Sequence, residues 1–580
     1  MSFVSRKAYS KNELATWSSP NGWDFLAMVM IFTLIALVAF GANQMSDSYQ
    51  LGDLIPISLE PQYLPGYALR TVIRMFIALF FSLIFTIILG AAAAKNRHAE
   101  RLVIPAVDIL QSVPVLSFLT ITASGFIFLF KNSMLGPEGA AIFGIFTAQV
   151  WNMVLSFYQS LKTVPTELQE MAQVFQLSAW QKFWKLEVPF AAPGLLWNVM
   201  MSMSGSWFFV IACEAFSVSG TSITLPGVGS YIWLAIQQAD QQAIIYAIIT
   251  MLLVICLYDQ LLFRPLVYWI EKFKEQLDDE EEAPRVWLIS LLQKTRFLSS
   301  VQWYLGDLKD RLINLSWFTV KTKPVARASR KIPSFIFKTV WIGLLIALVA
   351  IFPIVWQKCL ANLSMSEVKM VFLLGLFTGL RVMALIFIAC LIWLPVGVWI
   401  GLRPRLSAVV QPIIQFMAAF PANLLFPLAT LAIIKFRLNV EFWVAPLMVL
   451  GTQWYILFNV IAGTSQLNKE LKLAAANFKV RGWLWWRRFV IPAIAPYFIT
   501  GAITAAGGAW NASIIAEVIT WGDSQLVATG IGAYIQQNSE AGDFARVALS
   551  TVIMCIIVLL INRVFWKPLY NIAMSRVIND

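Results

Sequence analysis

Residues 170–193 read EMAQVFQLSAWQKFWKLEVPFAAP, and residues 473–496, lying 303 positions further on, read LAAANFKVRGWLWWRRFVIPAIAP. Each is a polar, aromatic-rich stretch wedged between long apolar runs. The prolines coincide, Pro189 with Pro492 and Pro193 with Pro496. The same offset of 303 pairs Trp151 with Trp454, Glu167 with Glu470, Gly205 with Gly508, Trp207 with Trp510 and Glu214 with Glu517. It continues through Gly227-Val228-Gly229 against Gly530-Ile531-Gly532, Tyr231 against Tyr534, and Pro265-Leu266 against Pro568-Leu569. Upstream the offset is 307, from Thr71/Thr378 and Arg74/Arg381 through Gly90/Gly397 and Pro105/Pro412 to Pro114/Pro421. A four-residue difference around residues 131–139 accounts for the change. Trp, Gly and Pro do not recur at constant offsets by chance. The chain is a duplicated unit.

Composition says what kind of unit. The chain has 580 residues, 59% of them hydrophobic and 13% charged, with a mean hydropathy of +0.72. Soluble proteins carry about 25% charged residues. Apolar runs near 20 residues recur, each long enough to cross a bilayer core of about 30 Å. The expected fold is an all-α polytopic membrane protein, since a barrel would show short alternating strands instead. The net charge of +12 does not point to nucleic acid, because Lys and Arg sit mainly in alternate loops between apolar runs. Five scattered Cys have no paired spacing and read as core packing. His98 is the only histidine and lies in a basic loop. No catalytic cluster and no metal site is expected.

Read in order, residues 1–22 form a polar tail with Arg6, Lys7 and Lys11. The apolar run 23–42 is too long for a signal-peptide core and is read as a retained first helix. Helices are expected at about 71–94, 104–130, 140–161, 189–216 and 243–262, completing a first repeat over residues 23–263. Residues 264–334 form the one long polar interval, with the acidic run Asp278–Glu282 and a basic stretch at 321–331. It reads as a cytoplasmic linker with one or two surface helices, in which Trp287, Trp303 and Trp317 would suit the membrane interface. A second set of runs begins near Phe335, Val371, Ala408, Phe442, Pro492 and Ala548, giving a second repeat over 335–569 and a tail over 570–580. Six plus six gives about twelve transmembrane helices. An even number per half makes the repeats parallel, related by an axis along the membrane normal. Basic loops after even-numbered helices place both termini in the cytoplasm.

The stretch before each fifth helix resembles the EAA loop of binding-protein-dependent ABC transporter permeases, whose pattern runs E-A-A, then Gly, then a distal L-P. In the first half Glu170, Ala172, Ser178, Trp180, Phe183 and Pro189 fit, with Gln176 where Gly is usual. In the second, Ala474, Ala475, Trp483 and Pro492 fit, with Leu473 in place of Glu and Lys479 in place of Gly. Each half also looks like the nitrate/sulfonate/taurine/bicarbonate branch, through T-x-x-R in the second helix and Trp then Glu in the fifth. The resemblance implies a type I importer-like permease of the bacterial inner membrane, with this loop inserted as a short helix into a groove of an ATPase. It implies two copies of an ABC ATPase subunit that bind ATP and Mg, a periplasmic substrate-binding protein, and a small solute, an oxyanion or organic anion. The chain contains no G-x-x-x-x-G-K-[ST] phosphate loop, so an enzymatic ATPase role is not expected of it. An ion-gradient-driven secondary transporter with parallel repeats is the alternative reading.

The candidate pathway or gate residues are Trp207, Glu214, Trp510, Glu517, Arg74 and Arg381. Glu214 and Glu517 are carboxylates at the edge of apolar runs, where charge points to function. Glu214 falls about 37 Å along a helix beginning at Pro189, beyond a core of about 30 Å, so a gate and a structural anchor are both open. Arg74 and Arg381 could attract an anion, although snorkelling to headgroups is the commoner use of such arginines. Trp207 and Trp510 read more readily as packing than as ligands.

Overall fold

The sequence offset reappears in the secondary structure. Arg97–Ser112 and Pro404–Ala419 are helices shifted by 307; Thr166–Val174 and Lys469–Asn477, or Val228–Gln237 and Ile531–Glu540, are helices shifted by 303. The computed structural model describes residues 22–45, 55–218, 221–271, 289–290, 294–314, 363–465, 467 and 469–578. The expected tail 1–21, the acidic run Asp278–Glu282, the basic stretch 321–331, Trp287, Trp317 and the helix expected near Phe335 lie outside these residues.

The described residues are overwhelmingly helical. Seven helices are long and apolar enough to cross a membrane, and nine if two sharply bent pairs each count as one span. Of the remaining three of the expected twelve, one is the helix Gly22–Gln44 and one lies outside the described residues. The last is the third helix of the first repeat, expected to be continuous and found broken into Arg97–Ser112 and Val115–Leu129. Its counterpart in the second repeat is bent by 71° between Pro404–Ala419 and Ala422–Lys435. Both breaks fall at the register-equivalent prolines Pro114 and Pro421. Proline has no N–H to give the helix and drives the residue before it out of the helical region. Val113 (φ −79°, ψ 122°) and Phe420 (φ −68°, ψ 125°) are extended accordingly.

After each fifth helix the chain forms a short antiparallel hairpin followed by a helix. Ala215–Val218 pairs with Thr221–Thr224, and Val518–Trp521 with Ser524–Val527. These hairpins turn the chain back so that the next helix starts beside the glutamate that ended the last one.

The chain divides into two units. One comprises residues 1–40, 165–190 and 260–325. In it the linker contributes the helix Arg296–Ile313, whose following residue Asn314 accepts hydrogen bonds from Gln181 Nε2 and Lys185 Nζ, both at 3.0 Å. Lys294 Nζ stands 5.4 Å from the centre of the Trp23 ring.

The other unit comprises residues 41–164, 191–259 and 326–580 and holds the helix packing of both repeats. In lipid, helices associate by close backbone approach rather than by hydrophobic expulsion. A Cβ on Gly90 would lie 2.7 Å from the Phe157 ring, and one on the equivalent Gly397 would lie 2.6 Å from Val460, itself the counterpart of Phe157. Each second helix therefore crosses its fourth at a glycine. The outward faces of these second helices carry exposed Phe80, Phe81 and Ile88, or Phe377, Leu380 and Phe387, which suits contact with acyl chains.

Candidate functional site

Arg74 does not snorkel. It is fully buried, and its guanidinium grips Glu138 with two nitrogens, Nε to Oε2 at 2.6 Å and Nη2 to Oε1 at 2.7 Å. Nη1 donates to Glu214 Oε1 at 2.7 Å, and Nη2 also reaches the Pro226 carbonyl at 3.0 Å. Glu214 is in turn held by the Thr71 hydroxyl at 2.7 Å and by the backbone N–H of Gly229 at 2.7 Å. The Thr71 oxygen accepts from Val228 N at 3.1 Å. The carboxylate thus sits at the N-terminus of helix Val228–Gln237, where exposed N–H groups and the helix dipole favour an anion. Gly227 makes room for it, since a Cβ there would lie 2.3 Å from the carboxylate carbon.

The second repeat builds the same cluster. Arg381 donates to Glu517 at 3.0 Å and to Glu441 at 2.7 Å. Thr378 donates to Glu517 at 2.7 Å and accepts from Ile531 N at 3.0 Å. Ala533 N donates to Glu517 Oε2 at 3.0 Å, and Gly530 clears the space. The copies differ in depth. The Arg381 and Glu441 side chains are 15% and 42% exposed, whereas those of Arg74 and Glu138 are 0% and 2%. Between the two expectations for Glu214 and Glu517, the geometry is that of an anchor, tying the end of the fifth helix to the second and to the helix that follows. Snorkelling fails for Arg74 because three acceptors inside the protein outbid water at no cost in reach.

Glu138 and Glu441 were missed in the sequence because they fall next to the length difference at residues 131–139. Continuing the 303 offset upstream from Trp151/Trp454 would have paired them. Near the same ends, the repeat tyrosines Tyr231 and Tyr534 donate to the Leu59 carbonyl and to Glu367, both at 2.8 Å. Burial pushes the Tyr231 hydroxyl up to about 12 and that of Tyr534 well above its ordinary value, so both remain donors.

Trp207 is fully buried and meets Tyr258 edge-on at 5.8 Å, and Trp510 packs over Gly379, so both rings are packing elements. On the same turn as Trp207 the fifth helix of the first repeat lines a cavity of about 60 Å³ with Ser204, Gly205 and Phe208. Its other walls come from the second repeat: Phe420 and Ala422 at the helix break, Thr452 and Tyr455 at the bend of the fourth helix, and Gly508 on the fifth. Broken helices are tolerated at membrane depth where the freed backbone lines a cavity or is bonded by neighbours. Here Asn511 Oδ1 accepts from Val115 N at 2.8 Å just past the first break, and Asn423 Nδ2 past the second donates to the Phe208 carbonyl at 3.3 Å. The second repeat thereby satisfies a backbone N–H freed at the first break, whereas at the second break the contact is made by a side chain. Tyr455 is only 9% exposed, and its hydroxyl lies against Gly205, where a Cβ would approach it to 2.8 Å. Among the described residues, that hydroxyl has no protein partner.

The two stretches that resemble the EAA loop share one backbone. In the first unit, helix Thr166–Val174 ends in a left-handed turn at Gln176 (φ 48°), with Leu177 N bonded to the Ala172 carbonyl at 3.0 Å. Ser178 then caps the short helix Ala179–Lys182 reciprocally with Gln181. Trp180, Phe183 and Trp184 stack edge-on, and a π-helical turn Phe183–Glu187 leads into the helix where Pro189 is the second residue. The second stretch repeats this within its own unit: helix Lys469–Asn477, a left-handed Lys479 (φ 53°), Val480 N bonded to the Ala475 carbonyl at 3.0 Å, and helix Gly482–Trp485. Phe478 N is bonded to the Ala474 carbonyl at 2.9 Å, and the π-turn Trp486–Val490 precedes Pro492. The left-handed positions are those where the sequence pattern expects Gly. Glu170 and Trp483 are exposed, while Ala172 and Phe183 are buried. Exposed Phe175 and its equivalent Phe478 at the tips were not singled out in the sequence, although the 303 offset pairs them.

The chain is 28% identical over 178 residues to the bicarbonate transport system permease protein CmpB of Synechococcus elongatus, covering 30% of this chain and 60% of that protein. It is 27% identical over 145 residues to the nitrate import permease protein NrtB of Leptolyngbya laminosa, covering 25% of this chain and 47% of that one. With NrtB of Synechocystis sp. it shares 22% identity over 232 residues, 39% of this chain and 79% of the relative. The match thus spans little more than half the length of the first relatives. The family model described as binding-protein-dependent transport system inner membrane component matches twice, over residues 82–263 and 393–566, which together make up more than half of the chain. The protein is a multi-pass membrane protein with two copies of this domain, and it belongs to the binding-protein-dependent transport system inner membrane component family.

Proposed function

We propose that this chain is the permease subunit of an ATP-driven importer of the inner membrane, moving a small oxyanion by alternating access between its two halves. The observation that carries the reading is the pair of docking stretches, one before each fifth helix, with the same left-handed turn at Gln176 and Lys479. A rigid helix–turn–helix placed twice at equivalent positions is what two external motor subunits need in order to push on one duplicated channel. The chain has no phosphate-binding loop of its own, so ATP and Mg belong to separate ATPase subunits. A binding protein delivers solute on the periplasmic side, and both termini face the cytoplasm, as the basic loops indicate.

Bicarbonate and nitrate, named for the relatives, support a small oxyanion as the substrate class. Four of the walls of the 60 Å³ cavity are Ser204, Thr452, Tyr455 and Gly205, and its lining includes no Lys, Arg, Asp or Glu. Such a chamber passes a small anion without an ion pair to hold it, which favours release over retention.

The test is reconstitution in liposomes with the ATPase subunits and binding protein, following uptake of labelled bicarbonate and nitrate. Uptake is expected to require ATP, and Glu170→Lys is expected to uncouple it while membrane insertion stays intact. Uptake driven by an ion gradient with the ATPase absent would overturn the proposal.

A further inference from the structure

The repeat gives the 60 Å³ cavity a counterpart of reversed chemistry. Through the offset of 307, its walls Ala418 and Ala422 correspond to Gln111 and Val115. Through the offset of 303, Tyr455 corresponds to Asn152 and Phe208 to Asn511. Among the described residues no Asn or Gln lines the cavity, whereas three of these equivalent positions carry a carboxamide.

The three amides lie along one broken helix. Gln111 Nε2 donates to Asn152 Oδ1 at 2.8 Å. Four residues on, just past the break at Pro114, Val115 N donates to Asn511 Oδ1, also at 2.8 Å. Gln111 is exposed, and Asn152 and Asn511 are half-buried. Asn152 lies about 21 Å along its helix from Glu138 and about 15 Å from Lys162, near the middle of the span. Unpaired amide N–H groups at that depth are heavily penalised against acyl chains, so the open side of the cluster faces a watery passage.

A carboxamide nitrogen carries two N–H groups. Gln111 spends one on Asn152, and Asn511 spends one on the Gly507 carbonyl at 3.1 Å. Asn152 Nδ2 spends neither among the described residues. Gln111 Oε1 likewise accepts nothing among them. The cluster therefore offers several neutral donors and one acceptor toward the passage. Neutral hydrogen bonds replace the water an oxyanion sheds at only a modest net gain, so they hold an anion without trapping it. Resting on the reading of this chain as an oxyanion permease, we infer that Gln111, Asn152 and Asn511 hold the anion in transit, on one side only of the duplicated channel. The equivalent cavity, with Ala418, Tyr455 and Phe208 in those places, gives passage without retention.

The test follows labelled nitrate and labelled bicarbonate into liposomes holding the full chain with its ATPase subunits and binding protein. Asn152→Leu removes the free donors and is expected to lower uptake of both anions by about tenfold, as loss of one or two hydrogen bonds would. Asn152→Gln keeps the amide and should restore at least half of the parental rate. Gln111→Ala installs the residue found at position 418 on an exposed site, so its folded yield should match the parent. Bicarbonate carries a hydroxyl for Gln111 Oε1 to accept and nitrate does not, so Gln111→Ala should lower bicarbonate uptake several-fold more than nitrate uptake. Parental uptake in Asn152→Leu overturns the proposal. So does an equal loss in Asn152→Leu and Asn152→Gln, or an unchanged ratio of the two anions in Gln111→Ala. Absence of ATP-dependent uptake of either anion by the parent chain overturns instead the permease reading on which the proposal rests.

Discussion

Glu138 clamps Arg74 through two parallel hydrogen bonds of 2.6 and 2.7 Å, with neither side chain open to solvent. Its counterpart Glu441 holds Arg381 through a single contact of 2.7 Å at a partly open site. Breaking a buried pair leaves an uncompensated charge and costs about 3–5 kcal/mol, whereas an exposed pair contributes about 0–1 kcal/mol. Glu138→Ala is therefore expected to lower the thermal stability of the detergent-solubilised protein severely, and Glu441→Ala only slightly. Equal losses in the two variants would contradict the difference in depth.

A Cβ at position 227 would collide with the Glu214 carboxylate at 2.3 Å, while one at Gly66 would meet nothing within 4 Å. Forcing an atom into a packed site typically costs about 1–3 kcal/mol. Gly227→Ala should therefore reduce folded yield and melting temperature, and Gly530→Ala should do the same through Glu517. Gly66→Ala is the control for helix position and should melt like the parent.

Gln176 adopts a left-handed backbone that costs an ordinary residue about 1–2 kcal/mol and a glycine nothing steric. Gln176→Gly should keep or slightly raise stability and retain ATPase coupling. Gln176→Val places a β-branched residue in that conformation and should distort the turn, for a loss of about 1–3 kcal/mol. ATP hydrolysis by the assembled complex, with and without solute, distinguishes the two. Preserved coupling in the Val variant would show that the turn does not transmit motion.

The Tyr455 hydroxyl lines the cavity beside Gly205, and among the described residues it has no hydrogen-bond partner. Removing it with Tyr455→Phe should leave melting unchanged, since no internal hydrogen bond is lost. If passing solute uses that hydroxyl, the uptake rate should fall by about three- to tenfold, matching one hydrogen bond of about 0.5–1.5 kcal/mol. Unaltered uptake would remove Tyr455 from the pathway.

The stretches at residues 170–193 and 473–496, with the constant offsets and apolar runs around them, determined by themselves that this chain is a duplicated, helical membrane protein. Hydrophobic length, loop charge and constant offsets are properties of the chain in one dimension, so they survive without coordinates. The left-handed turns were not read from the sequence, because Gln176 and Lys479 stand where glycine, the residue that favours that backbone, is usual. The breaks at Pro114 and Pro421 could have been read from the prolines, had hydropathy not run unbroken across them.

Tertiary structure alone decided what the charged residues do. Arg74 lies on one helix, Glu138 starts another and Glu214 ends a third, and nothing local to any of them distinguishes a buried clamp from a side chain reaching for headgroups. Ion pairing depends on distance and on exclusion of water, and both are set by how helices pack. The cavity at Tyr455 has the same origin, since its walls come from both repeats.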